Sequence, residues 1–104
     1  MRTSQCGINL IKGFESLRLE AYRCPAGVWT IGYGHTANVR GGDRIDDRKA
    51  EQLLVEDLRG AEAIVNRECP GVSQNQFDAL VSFVFNVGET QFKRSTLLKC
   101  VKAN

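Results

Sequence analysis

Apolar residues recur at helical spacing from the start of the chain. At roughly 100° per residue, Ile8, Leu10, Ile11 and Phe14 fall in one arc of about 160°, with Asn9, Lys12 and Gly13 opposite, which predicts a helix over residues 5–15. Glu15 lands inside the apolar arc. The period then changes to two. Leu17 and Leu19 alternate with Arg18 and Glu20, residues 24–27 read Cys-Pro-Ala-Gly, and residues 28–33 are rich in β-branched and aromatic side chains. That is the pattern of a hairpin. On its second strand Trp29, Ile31 and Tyr33 point one way and Thr30 the other. Gly32 and Gly34 on either side of Tyr33 predict a bulge or a close backbone approach.

The remainder reads as helix. Gly41 and Gly42 mark a connection over residues 38–45, and Asp46 or Asp47 can cap a helix that runs to about Glu68. In it Ala50, Leu54, Leu58, Ala61 and Val65 form one face, with Leu53 and Ile64 beside it. Asp57, Glu62 and Arg67 are most simply solvated positions on this helix. Pro70-Gly71 breaks the chain, and Ser73 with Gln76 reads as a capping box. The helix that follows carries Phe77, Leu80, Val81, Phe83, Val84 and Phe85, apolar nearly all round and therefore expected at the centre of a helical lobe. A last helix is predicted from about Arg94, with Leu97, Leu98 and Val101 inward. A helix, a hairpin and then helices make the fold class α+β.

Composition fits one small domain: 104 residues, 42% hydrophobic and 25% charged, enough for a modest core. A net charge of +2 with no basic stripe interleaved with aromatics gives no support for nucleic-acid binding. The longest apolar stretch, residues 80–87, is too short to span a bilayer, so no stable membrane insertion is expected. Neither a signal peptide nor a membrane span is visible, and the chain reads as cytoplasmic. Reduced thiols are then the default for Cys6, Cys24, Cys69 and Cys100. No Cys-x-x-Cys pair occurs and His35 is the single imidazole, so neither a metal nor a cofactor is expected.

Candidate chemistry concentrates between Glu15 and Thr36. Glu15 closes an apolar helix; withdrawn from water and beside the exposed carbonyls of a last turn, a carboxyl suits the role of general acid. Cys24 sits at a turn and Thr30 on a strand. Each has a plain structural alternative: a surface Glu at a helix end, a small turn residue, a β-branched strand former. His35 reads as a structural hydrogen-bonding partner more readily than as a catalyst.

The segment Gly13-Phe14-Glu15 through Trp29-Thr30-Ile31-Gly32-Tyr33-Gly34-His35-Thr36 resembles the active-site region of phage-type lysozymes. The family signature is Glu, eight residues, Asp or Cys, five residues, Thr, matched here by Glu15, Cys24 and Thr30. The likeness continues through residues 50–58, 73–88, Phe92 and 95–98. It is collinear over almost the whole chain, which makes it far more specific than the three-residue spacing alone.

The resemblance implies a lysozyme-like domain over residues 1–104. Its parts would be a helix and hairpin lobe (1–45), a connecting helix (46–68) and a helical lobe (72–104). It implies an endolysin muramidase that cuts the β-1,4 bond between N-acetylmuramic acid and N-acetylglucosamine in the glycan strands of peptidoglycan. Glu15 would be the general acid, Cys24 would activate or orient the attacking water, and Thr30 would hold that water; His35 and Tyr22 would support the site. Glycosidases usually bring two carboxylates to this task, and here a thiol with an ordinary pKa of about 8.5 stands in for one. The enzyme would accumulate in the host cytoplasm and reach the wall after holin-mediated release.

Phage lysozymes usually continue for several tens of residues past the Ser95-Thr96-Leu97-Leu98 segment, whereas this chain stops at Asn104. The apolar helix over residues 73–87 is then expected to be partly uncovered, which predicts self-association through that face. Two other functions stay open: an inactive remnant or non-cutting peptidoglycan binder, and a thiol hydrolase that pairs Cys24 with His35.

Overall fold

The computed structural model describes residues 1–94; the last predicted helix, with Leu97, Leu98 and Val101, lies outside the described residues. In chain order the elements are α1 (Gln5–Phe14), β1 (Arg18–Arg23), β2 (Trp29–Gly32), α2 (Asp47–Glu68) and α3 (Gln74–Arg94). The fold is α+β, as the sequence predicts.

Helix α1 begins at a serine cap. The Ser4 hydroxyl accepts the Gly7 N–H at 3.1 Å and its carbonyl accepts the Ile8 N–H at 2.9 Å, which satisfies donors that a helix start leaves bare. Gly7 and Ile11, one turn apart, are buried. The apolar arc is narrower than its sequence suggests: Leu10 is 47% and Phe14 68% exposed. Phe14 is the last residue of the helix, and Leu10 lies on the flank of the Gly7–Ile11 stripe.

Strands β1 and β2 pair antiparallel with Tyr22 opposite Thr30, Arg23 opposite Trp29 and Arg18 opposite Gly32, and the register slips between Arg18 and Tyr22. The slip frees the middle of β1 for a different neighbour. The Ala21 N–H bonds the Asp43 carbonyl and the Ile45 N–H bonds the Leu19 carbonyl, both at 2.9 Å, with Glu20 bridged to Arg44. The far end of the glycine-containing connection thus becomes a short third edge of the sheet. Gly41 passes directly over Trp29: a Cβ there would stand 2.8 Å from the indole, so any larger residue would have to displace the ring.

Asp46 caps α2 by accepting the Lys49 N–H at 2.8 Å. Ala50, Leu54, Leu58, Ala61 and Val65 are all buried, the face expected from the spacing. The charged residues of α2 depart from expectation. Glu62 is 7% exposed and accepts the Thr3 N–H at 2.7 Å and the Thr3 hydroxyl at 2.6 Å. A long-range partner supplied by the first residues of the chain, which no local pattern reveals, turns this position inward. Asp57 is likewise paired, as described below.

The capping box at α3 forms in both directions, Ser73 N–H to Gln76 Oε1 at 2.9 Å and Gln76 N–H to Ser73 Oγ at 3.2 Å. Phe77, Leu80, Val81 and Val84 are buried, whereas Phe83 and Phe85 are half-buried and Val87 is exposed. The helix is interrupted at Gly88, whose φ of 86° and ψ of 168° are not helical. Beyond the break Phe92 is fully buried and its ring lies 6.2 Å from that of Phe83. Among the described residues no helix is long and apolar enough to cross a membrane.

Two units divide the chain, residues 1–9 with the chain from Leu58 onward, and residues 10–57. In the first, the N-terminal segment is held by side chains. The terminal amine donates to Asn66 at 3.1 Å, Asn66 donates back to the Met1 carbonyl at 3.0 Å, Gln74 donates to the Arg2 carbonyl at 2.9 Å, and the Ser4 N–H donates to Asp78 at 3.0 Å. The second unit carries the candidate chemistry.

Candidate active site

Glu15 stands one residue past the end of α1. Its N–H continues the helical bonding to the Ile11 carbonyl at 3.1 Å, and its side chain is half-buried. What faces the carboxylate is a glycine: a Cβ on Gly34 would lie 3.7 Å from Glu15 Oε2. Gly34 belongs to the tight turn over residues 32–34 that follows β2. That turn is closed by two backbone hydrogen bonds between Ile31 and His35, each of 2.9 Å. It needs φ of +67° at Gly32 and +84° at Gly34, values that residues with a Cβ adopt only at a cost. The predicted bulge or close approach is therefore a turn, with the acid against its backbone.

Cys24 and Thr30 meet at the other end of the hairpin. The turn is fixed by Cys24 N–H to Val28 carbonyl at 3.0 Å and Gly27 N–H to Cys24 carbonyl at 2.7 Å. This geometry aims the backbone N–H groups of Val28 and Ala26 at the Cys24 sulfur, and together they hold the thiol below its ordinary pKa. Thr30 is 4% exposed, and its hydroxyl donates to the Val28 carbonyl at 3.0 Å. Tyr22, opposite Thr30 in the sheet, carries the Arg18 guanidinium over its ring at 4.9 Å, a cation–π contact.

His35 pairs with a carboxylate of α2. Its Nδ1 bonds the Asp57 carboxylate at 2.8 and 3.0 Å, and the two side chains are 12% and 28% exposed. Gly34 falls where the sequence predicts a close backbone approach, whereas Asp57 is the residue beside the candidate site that sequence reasoning passed over. Asp57 looked like one more charge on a helix, and only the eleven-residue loop separating His35 from α2, by letting the chain double back, brings the two together. A cavity of about 560 Å³, bordered by Ile31, His35, Val39, Ile45, Leu53 and Asp57, opens beside this pair. Ile31 and Thr30 alternate across β2, so this cavity lies on the face away from the Cys24–Thr30 pair.

An acid set against a turn, a thiol beside backbone N–H groups and a buried hydroxyl are thus carried on one helix and hairpin of an α+β fold. The family model for phage lysozyme matches residues 12–104, and the chain belongs to the phage lysozyme family. An endolysin of Acyrthosiphon pisum secondary endosymbiont phage 1 is 50% identical over 100 residues, covering 95% of this chain and 68% of that protein. An endolysin of Bacillus phage B103 is 44% identical over 110 residues, covering 99% of this chain but 41% of its own length; the chain spans about two fifths of that relative. Among solved structures, the muramidase domain of SpmX from Asticaccaulis excentricus is 45% identical with a TM-score of 0.93, covering 98% of this chain and 70% of that one. By family the chain is an endolysin-class glycoside hydrolase, a phage lysis enzyme whose substrate is peptidoglycan.

Proposed function

We propose that this chain hydrolyses the β-1,4 bond between N-acetylmuramic acid and N-acetylglucosamine by a single displacement. Glu15 gives its proton to the glycosidic oxygen as the bond from that oxygen to the anomeric carbon breaks. A water held by Thr30 attacks the same carbon and passes its proton to the Cys24 thiolate. With a base and a bound water in place of a nucleophilic carboxylate, the product anomer is inverted. The observation that carries this reading is the match of residues 12–104 to the phage lysozyme family model, with Glu15 set against the Gly34 backbone; the backbone N–H groups of Val28 and Ala26 shift the Cys24 thiol toward its deprotonated form.

The competing thiol-hydrolase reading requires His35 to serve Cys24, yet Cys24 lies in the turn that precedes β2 and His35 closes the turn that follows it. Turbidity clearing of outer-membrane-permeabilised Gram-negative cells decides between them. Clearing that is abolished in Glu15→Gln, kept in large part in His35→Ala and accompanied by new muramic-acid reducing ends supports the muramidase. Clearing that survives Glu15→Gln overturns it, and binding to wall without release of sugar ends indicates a non-cutting binder. In the same reading the enzyme accumulates in the host cytoplasm and meets the wall after a holin opens the inner membrane. Lysis that requires co-expression of a holin is the corresponding test.

A further inference from the structure

The Glu15 carboxylate has no side chain of its own to fix it among the contacts described above; its neighbour is the backbone at Gly34. The placement of that neighbour depends on the turn. The turn closes through Ile31 and His35, whose reciprocal 2.9 Å bonds form a bridge separate from the β1–β2 pairing, and its two glycines at positive φ give it no stiffness from side-chain sterics. What stiffens it is the ring of His35, held through Nδ1 by both oxygens of Asp57 at 2.8 and 3.0 Å. Asp57 sits on α2, whose neighbouring positions Leu54 and Leu58 are each 1% exposed, so it is a rigid post.

We infer that Asp57 is a positioning residue for Glu15, acting through His35 and the Gly34 turn. Asp57 fixes the His35 ring, His35 fixes the closing pair with Ile31, and that pair sets where the Gly34 backbone stands against the carboxylate. Thr30 precedes Ile31 directly and is steadied by the same closure. The inference rests on the reading of Glu15 as the general acid. Its consequence is that a side chain remote from the sugar controls turnover while leaving glycan binding alone.

Asp57→Ala, Asp57→Asn and Glu56→Gln separate this from a purely structural role. Asp57→Asn retains an oxygen that accepts the Nδ1 proton, and Glu56→Gln removes a neighbouring charge of α2. All are assayed on soluble glycan fragments at a temperature where circular dichroism shows each variant folded. The expected result is a kcat about ten-fold lower in Asp57→Ala, the scale of a small misplacement of a catalytic group, with KM within about two-fold. The expected Asp57→Asn and Glu56→Gln variants stay close to the parent. A folded Asp57→Ala with parental kcat, or an Asp57→Asn as impaired as Asp57→Ala, overturns the inference.

A second readout does not depend on turnover. In the parent chain the Gly34 amide and the Glu15 side-chain carboxyl resonances report the turn and the acid, and both are expected to move in Asp57→Ala but not in Asp57→Asn or Glu56→Gln. Unmoved resonances in folded Asp57→Ala overturn the positioning role. If the parent chain shows no turnover at all, the muramidase reading fails by itself, and the resonances still decide what Asp57 positions.

Discussion

The carboxylate of Asp78 on α3 takes two hydrogen bonds from Ser4, 74 positions earlier in the chain, one from its backbone N–H at 3.0 Å and one from its hydroxyl. Gln74 donates to the same carboxylate at 2.8 Å. Asp78 is 5% exposed, a burial that a carboxylate tolerates only when its oxygens are fully bonded. Asp78→Ala removes the acceptor and leaves the cap of α1 without its anchor. The expected loss is about 3 kcal/mol, the scale for donors left unsatisfied beside a lost charged partner, read as a lower urea midpoint at constant slope.

Two helical glycines should respond in opposite directions to the same substitution. A Cβ at Gly7 would stand 2.6 Å from Asp78 Cγ and 2.7 Å from a Thr3 methyl, and Asp78 cannot retreat without breaking its bonds to Ser4. Gly60 in α2 has nothing within 4 Å of the added carbon. Gly60→Ala is expected to stabilise by about 0.5–1 kcal/mol through helix propensity, while Gly7→Ala destabilises despite the same propensity gain. Thermal unfolding of the two variants side by side checks the contrast.

The depressed pKa of Cys24 has a reactive and a thermodynamic consequence. Alkylation by iodoacetamide, followed at Cys24 by peptide mass mapping, should reach half its maximal rate at a lower pH than that of free cysteine measured alongside. Because the folded state favours the thiolate, Cys24 contributes stability above the unfolded thiol's pKa. That contribution is lost as pH falls through the folded value. A half-maximal pH at or above that of free cysteine would remove the support for a basic Cys24.

Lys12 is held protonated beyond its ordinary range by its hydrogen bond and charge pairing with Glu51. A raised folded pKa means the stabilisation is complete below the unfolded lysine value and fades as pH rises through the folded one. Both side chains are partly exposed, so Glu51→Gln is expected to cost only about 0.5 kcal/mol. The cost should be equal at pH 7 and pH 9 and smaller in high salt. A cost that grows with salt would contradict an ion pair.

Local pattern carried most of the fold and part of the site. Spacing found α2's buried face, dipeptide chemistry found the Ser73–Gln76 box, and the glycines around Tyr33 announced a special backbone. Leu10 and Phe14 belong to the apolar arc by angle yet meet solvent, because periodicity says only which residues share a side of a helix. Glu62 and Asp57 look like surface charges yet are bonded to Thr3 and His35, partners distant in sequence that no local pattern reveals. Glu15, Cys24 and Thr30 stood out through the spacing of the family signature, since local pattern alone left each a plain structural alternative. Asp57, whose partner His35 lies 22 positions earlier, did not.

Glu15, Cys24, Thr30, Gly34, His35 and Asp57 all fall within the unit formed by residues 10–57, an unbroken run of the gene. Crossovers between related genomes that land outside that run exchange the surrounding helices and leave the acid, the thiol, the hydroxyl and their supports together on one inherited block. A donor segment cut at those two limits is accordingly the natural unit for building chimaeras with other lysis genes.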